Sequence, residues 1–241
     1  MRIPHLVLVL PLLAVVGATQ GSERPEIQEQ PRLPGIEAED YAWDHQADEI
    51  RALLEQEVDY EQGRYAYVYC QGCHRQDGSG RPDGTYPQLA GQHASVLIKQ
   101  MLDIRRGSRE NPTMYPFADE HILYYDDLPH IAAYLESLPI PPDNGRGPGE
   151  DLARGERLYQ QDCKRCHGAN GEGDAERFKP VLAGQHYGYL VRQTVEIRDL
   201  ERRNANPDMV KVLRGYTDGE VRAVSDYISR LVMPERTGSH R

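Results

Sequence analysis

Apolar residues along the 241-residue chain fall into three patterns. The first is a continuous run from Leu6 to Ala18, behind Arg2 and ending on the small residues Gly17 and Ala18. That is the layout of a secretory signal, residues 1–18, with a cut after Ala18. The run is shorter than the ~20 residues that cross a bilayer, and Pro11 interrupts it. An uncleaved N-terminal anchor is the alternative reading. The second pattern has helical spacing: Ala47, Ile50, Leu53, Leu54 and Val58 predict a short amphipathic helix from Asp44 onward, lying against the segment that follows.

The third pattern is a duplication. At an offset of 93 residues (position 70 on 163), Tyr86-Pro87-Gln88-Leu89-Ala90-Gly91-Gln92-His93 falls on Lys179-Pro180-Val181-Leu182-Ala183-Gly184-Gln185-His186. Gln100 falls on Gln193, Arg105 on Arg198, and Tyr134-Leu135 on Tyr227-Ile228. Each copy reads as a short helix, a Gly-rich loop, a long helix after Leu-Ala-Gly-Gln-His, a methionine loop and a closing helix. The loops are Asp77-Gly78-Ser79-Gly80 and residues 168–173, and the closing helices cover about 125–137 and 218–231. The expected architecture is therefore all-α, with two small tandem domains at residues 59–138 and 150–235. A Pro- and Gly-rich linker, 139–149, joins them. The first helices match less well, because Gly63 lies seven residues before Cys70 whereas Gly155 lies eight before Cys163.

Charge changes this picture in one place. The chain carries a formal net charge of −10. Residues 23–61 hold thirteen Asp or Glu against three Arg, so the remainder is balanced. The acidic extension, residues 19–58, is compositionally disordered as far as Pro34. It is expected to act as a solvated spacer or as a docking arm for a basic partner. No nucleic-acid partner is expected, and no stretch after the signal is apolar enough to span a membrane. The chain has two Phe and one Trp against fifteen Tyr. A macrocycle filling each core would account for the missing aromatic bulk.

The four cysteines supply the chemistry. All lie in Cys70-Gln71-Gly72-Cys73-His74 and Cys163-Lys164-Arg165-Cys166-His167, both reading C-x-x-C-H, the attachment signature of c-type haem. On a helix, positions i, i+3 and i+4 share a face. Two thiols then reach one haem edge while the imidazole turns onto the iron. Two disulfides, a redox dithiol and a zinc site are the competing readings. Paired zinc knuckles usually lie some 15–20 residues apart, and a dithiol has no need of the following histidine. Two covalent haem c groups, with His74 and His167 as metal ligands, fit best.

The second axial ligand then decides what each iron does. Asn111-Pro112-Thr113-Met114 and Asn206-Pro207-Asp208-Met209 share the pattern N-P-x-M, which nominates Met114 and Met209. Met101 and Met233 are not duplicated and read as packing residues. His93 and His186 are the alternative ligands, although each follows Gly-Gln near a helix start, where a cap or a solvent- and propionate-facing role suits them better. Arg105 and Arg198 are candidate propionate partners or exposed helix arginines.

Two C-x-x-C-H motifs, each followed by P-x-L-A-G-Q and a methionine loop in an exported chain, resemble the cytochrome c4 family of diheme class I cytochromes c. The resemblance covers residues 60–235. It implies two cytochrome c-like domains related by a pseudo-two-fold axis, with haem propionate edges near their interface. It also implies that the carbonyls of Pro87 and Pro180 accept hydrogen bonds from His74 and His167, orienting each imidazole. One departure is Arg75, where the family and Gly168 have glycine. The implied function is electron transfer in the periplasm without substrate chemistry. Implied partners are a quinol-oxidising complex and a terminal oxidase or reductase. A rival reading is the diheme subunit of a periplasmic dehydrogenase such as flavocytochrome c sulfide dehydrogenase, with the acidic arm as docking element. An enzyme with one haem open, for thiosulfate or peroxide chemistry, ranks third.

Overall fold

A computed structural model of the chain describes residues 29–234, so the signal reading of residues 1–18 and the first part of the extension lie outside it. The described residues form eleven α-helices and no strand. Helix α1 (Ala47–Leu54) precedes the first repeat, which holds α2 (Tyr60–Ala66), α3 (Gln71–His74), α4 (Ala94–Arg106), α5 (Tyr115–Ala118) and α6 (Leu128–Ser137). The second holds α7 (Leu152–Leu158), α8 (Lys164–His167), α9 (Tyr187–Arg198), α10 (Pro207–Leu213) and α11 (Asp218–Ile228).

In each repeat the first and last helices cross at a glycine. A β-carbon on Gly63 would lie 2.1 Å from the His130 carbonyl oxygen, and one on Gly155 would lie 2.1 Å from that of Ala223. One turn further on, Tyr67 and Tyr159 are fully buried and pack tilted against Tyr134 and Tyr227, with ring centroids 5.9 and 5.6 Å apart. Their hydroxyls donate to the carbonyls of Arg75 (2.8 Å) and Gly168 (2.7 Å), directly after each motif histidine. The one-residue mismatch between the repeats is absorbed between these anchors. Tyr67–Cys70 is a tight 3₁₀ turn, whereas Tyr159–Cys163 is a wider π-helical turn that accommodates the extra residue.

The extension is neither disordered over its described part nor a solvated spacer. From residue 29 onward it is a strap laid across both repeats. Gln30 donates to the carbonyls of Ile104 and Arg109, each at 2.8 Å, and accepts from Asn111 N at 2.9 Å. Ile36 N donates to the Arg203 carbonyl at 2.8 Å, and Arg203 returns to Glu37 and the Leu33 carbonyl. Trp43 meets Phe178 of the second repeat edge-on, with Lys99 and Lys179 over its ring at 5.0 and 4.6 Å. The predicted helix is α1. It buries Ile50 and Leu53 in the first core, each worth about 1.5–3 kcal/mol against exposure. Glu49 receives both guanidinium arms of Arg106 (2.7 and 2.6 Å) and the Tyr125 hydroxyl. These bonds, led by Arg106, hold its carboxyl below the usual range. Composition misleads here because Glu37 and Glu49 find their basic partners, Arg203 and Arg106, far away in sequence.

The two repeats meet about a pseudo-two-fold axis marked by equivalent hydrogen bonds. The Gln185 amide pairs with the backbone of Gln88 (3.0 and 3.0 Å), and Gln92 pairs with Val181 in the same way (3.0 and 2.9 Å). Ile140, from the linker, sits on the axis. Its side chain occupies the space that β-carbons on Gly91 and Gly184 would need, each approaching within 2.4 Å. Beyond it, Asn144 donates to the carbonyls of Gln185 and Ser229, so the linker is a fitted part of the seam.

Candidate haem sites and the seam between them

Each motif lies on a short helix held by the Gly-rich loop behind it. Gly80 N donates to the His74 carbonyl at 3.0 Å, and Gly173 N to that of His167 at 2.9 Å. Both glycines have positive φ and stand where a β-carbon would lie 2.4 Å from a carbonyl oxygen, of Pro87 and Lys179 respectively. The imidazoles are buried, at 6% and 5% exposure. Their Nδ1 atoms donate to the carbonyls of Pro87 (3.0 Å) and Pro180 (3.2 Å). That fixes the tautomer and leaves the lone pair of each Nε2 for iron. Burial depresses the pKa of both rings, to about 4 for His167, so both are neutral and competent as ligands.

All four cysteines are free, so the disulfide reading fails. Burial pushes the Cys70 thiol up to about 11 and the Cys163 thiol to about 12, so both are protonated at neutral pH as free thiols. Among the described residues no three His, Cys, Asp or Glu side chains converge as a metal cage. Two thiols and one oriented imidazole per repeat fit covalent haem c. Arg75 is accommodated without a change in the loop. It takes φ +63° where Gly168 has +83°. A β-carbon at Gly168 would strike the Glu172 carboxylate, but the first repeat has the smaller Ser79 at that place.

The expected methionine loops are helix starts, Met114 standing directly before α5 and Met209 in the first turn of α10, and an asparagine side chain holds each. Asn111 Oδ1 accepts from Met114 N (3.2 Å), and Asn206 Oδ1 accepts from Asp208 N (2.9 Å) and Met209 N (3.4 Å). Met114 packs beside Ile104, Tyr115 and Ala118, and Met209 beside Ile197, Val210 and Leu213. Met101 lies between two core clusters of the first repeat, consistent with packing. Arg105 and Arg198 are not exposed helix arginines. Arg105 donates to the carbonyls of Ala118 (2.6 Å) and Leu123 (2.5 Å), and Arg198 to the Tyr216 carbonyl and Asp218, so both brace the chain that follows the methionine.

His93 and His186 neither cap their helices nor face solvent. Each reaches across the seam: His93 Nε2 donates to the Glu172 carbonyl (2.8 Å) and His186 Nε2 to that of Ser79 (2.7 Å). Their Nδ1 atoms are engaged too, with Glu136 and Gly145 N, so neither ring has a nitrogen left for iron. Burial lowers the pKa of His186 below its ordinary 6.5. As pH falls through 6.5 the unfolded chain takes up this proton first, so the contribution of His186 is complete above that value and is lost toward the folded pKa. Thermal unfolding of the protein between pH 7 and 5 should show this loss, and His186→Gln should remove that part of the slope.

One constellation escaped the sequence reading. Arg109 and Arg202, equivalent by the same offset, each donate to the amide oxygens of both Gln100 and Gln193, at 2.7–3.0 Å. Burial, with Arg109 nearby, pushes Arg202 down to about 10. Beside them the Asp103 carboxylate accepts from Lys99, Gln46, Ser108 and Asn204, tying strap and both repeats into one buried network. The repeat offset was the available signal, since Gln100/Gln193 and Arg109/Arg202 both obey it.

The cytochrome c family model matches twice, over residues 60–139 and 152–231. A thiosulfate dehydrogenase electron acceptor of Stutzerimonas stutzeri is 35% identical over 181 residues, 70% of this chain and 82% of that one. Cytochrome c4 of Azotobacter vinelandii is 28% identical over 205 residues, 76% of this chain and 93% of its own. The crystal structure of reduced cytochrome c4 from Pseudomonas stutzeri superposes with a TM-score of 0.64 at 29% identity, over 73% of this chain and all of that one. With two matched domains, two haem-attachment motifs and a pseudo-two-fold seam, the chain belongs to the cytochrome c family, as a diheme electron carrier of the cytochrome c4 type.

Proposed function

We propose that the protein shuttles electrons in the periplasm between respiratory redox partners, with Met114 and Met209 as the second axial ligands and no substrate chemistry of its own. When bound, each haem supplies a one-electron Fe(III)/Fe(II) couple. The observation that carries the reading is the equivalence of the two sites: the same oriented imidazole, the same Asn-held methionine and the same bracing arginine occur in both. His74 and His167 are made more basic by their proline carbonyls. A thioether opposite each would favour the reduced state. The glutamine pairs and Ile140 hold the two sites at one fixed separation, so a transferred electron meets little rearrangement.

The relative named as a thiosulfate dehydrogenase electron acceptor supports a dehydrogenase as donor. A quinol-oxidising complex is the other donor class, and a terminal oxidase or reductase the acceptor. Permanent attachment to a dehydrogenase through a free acidic arm is less well supported, because that arm from residue 29 onward is engaged on its own chain. Thiosulfate alone should leave both haems oxidised, and addition of a thiosulfate dehydrogenase should reduce them. Turnover of thiosulfate by the isolated protein would refute the carrier reading.

A further inference from the structure

The two repeats are alike inside and unlike outside. Beside the first haem motif, Tyr65, Val68 and Tyr69 share one face of the helical segment at spacings of three and four, and they are 75%, 52% and 61% exposed. The face continues onto Gly72, between the two cysteines, where an added β-carbon would meet nothing within 4 Å. It therefore runs flush to the residues that hold the haem. The segment that carries it is acidic: residues 55–72 contain Glu55, Glu57, Asp59 and Glu61 against Arg64 alone, and Arg64 is spent on Glu61 at 2.7 Å. With Gly63 set on Gly155, the same places in the second repeat are Arg157, Gln160 and Gln161, and the residues between its cysteines are Lys164 and Arg165. All five are exposed.

We infer that the Tyr65–Val68–Tyr69 face is the docking surface of the first haem, and that its occupant is a redox protein presenting an apolar centre ringed by lysine or arginine. The inference rests on the carrier reading. Three exposed apolar side chains on one stripe carry no folding role, because Gly63 and Tyr67 of the same segment face the closing helix instead. Tyrosine is favoured at interface centres because it buries a large surface with few rotors to freeze. The acidic segment then selects a basic partner and speeds its approach. The second motif offers neither the apolar stripe nor a net acidic charge, since residues 147–165 hold four carboxylates against four basic residues, which assigns the two haems to different faces and different exchanges.

The test is electron exchange between the fully reduced protein and ferric mitochondrial cytochrome c, a lysine-rich probe, followed by stopped flow at about 0.01 M and 0.1 M ionic strength. The rate should fall with added salt. It should fall about tenfold when Tyr65→Ser, Val68→Ser and Tyr69→Ser are combined, the loss of one modest hot spot. Arg157→Ser with Arg165→Ser should not slow it. An unchanged rate in the triple variant, or an equal fall in the second-repeat variant, overturns the assignment. If the triple variant instead loses binding to phosphatidylcholine vesicles while exchanging electrons normally, the face belongs to a lipid surface. Reduction of both haems by dithionite, measured in every variant without the probe, separates failure of docking from failure of the carrier itself.

Discussion

Met209→Ala should lower the potential of the second haem by on the order of 0.2 V, within the roughly 0.8 V that axial-ligand identity commands. It should also open that iron to added ligands such as cyanide or imidazole. The side chain stands in the first turn of α10, which Asn206 caps, and Arg198 braces the chain after that helix, so truncation removes the thioether without dismantling its support. Met114→Ala should do the same at the first haem. Met101→Ala is the control, because Met101 packs between core clusters and should leave both potentials in place. Spectroelectrochemical titration reads all three. A shift with Met101→Ala and none with Met209→Ala would overturn the ligand assignment.

A large loss of stability is expected at the helix crossings. Gly63→Ala places a β-carbon 2.1 Å from the His130 carbonyl oxygen, and Gly155→Ala places one equally close to that of Ala223. Alanine would ordinarily gain about 1 kcal/mol over glycine within a helix. Here the obstacle is backbone, which cannot rotate away, so the closing helix must shift off Tyr67 or Tyr159. A net loss of about 3 kcal/mol is expected, at the upper end for overpacking. Gly72→Ala, with open space at its β-carbon, should cost well under that. Thermal unfolding followed by helical circular dichroism distinguishes them, and equal midpoints for the three variants would contradict the crossing.

Much of this was available from the sequence because duplication serves as an internal control. The motif histidines, the proline carbonyls behind them and the helix order all obey one offset, and the structure places each pair in equivalent surroundings. What could not be read were interactions whose partners lie far apart along the chain. The extension looked like a spacer because its carboxylates were counted, whereas Glu37 and Glu49 find Arg203 and Arg106 only in the folded protein. His93 and His186 looked like caps because the seam that gives them carbonyl partners is not encoded locally. The one-residue mismatch before the cysteines looked like imperfect repetition and turned out to be a 3₁₀ turn set against a π turn.

Carbon monoxide added to the dithionite-reduced protein at neutral pH, with the absorption spectrum recorded before and after, tests the account most directly. With Met114 and Met209 both on iron, no coordination position is free and the spectrum should not move. A shift amounting to one haem would mean that one methionine does not ligate. That would place a reactive centre, rather than an electron relay, in that half of the molecule.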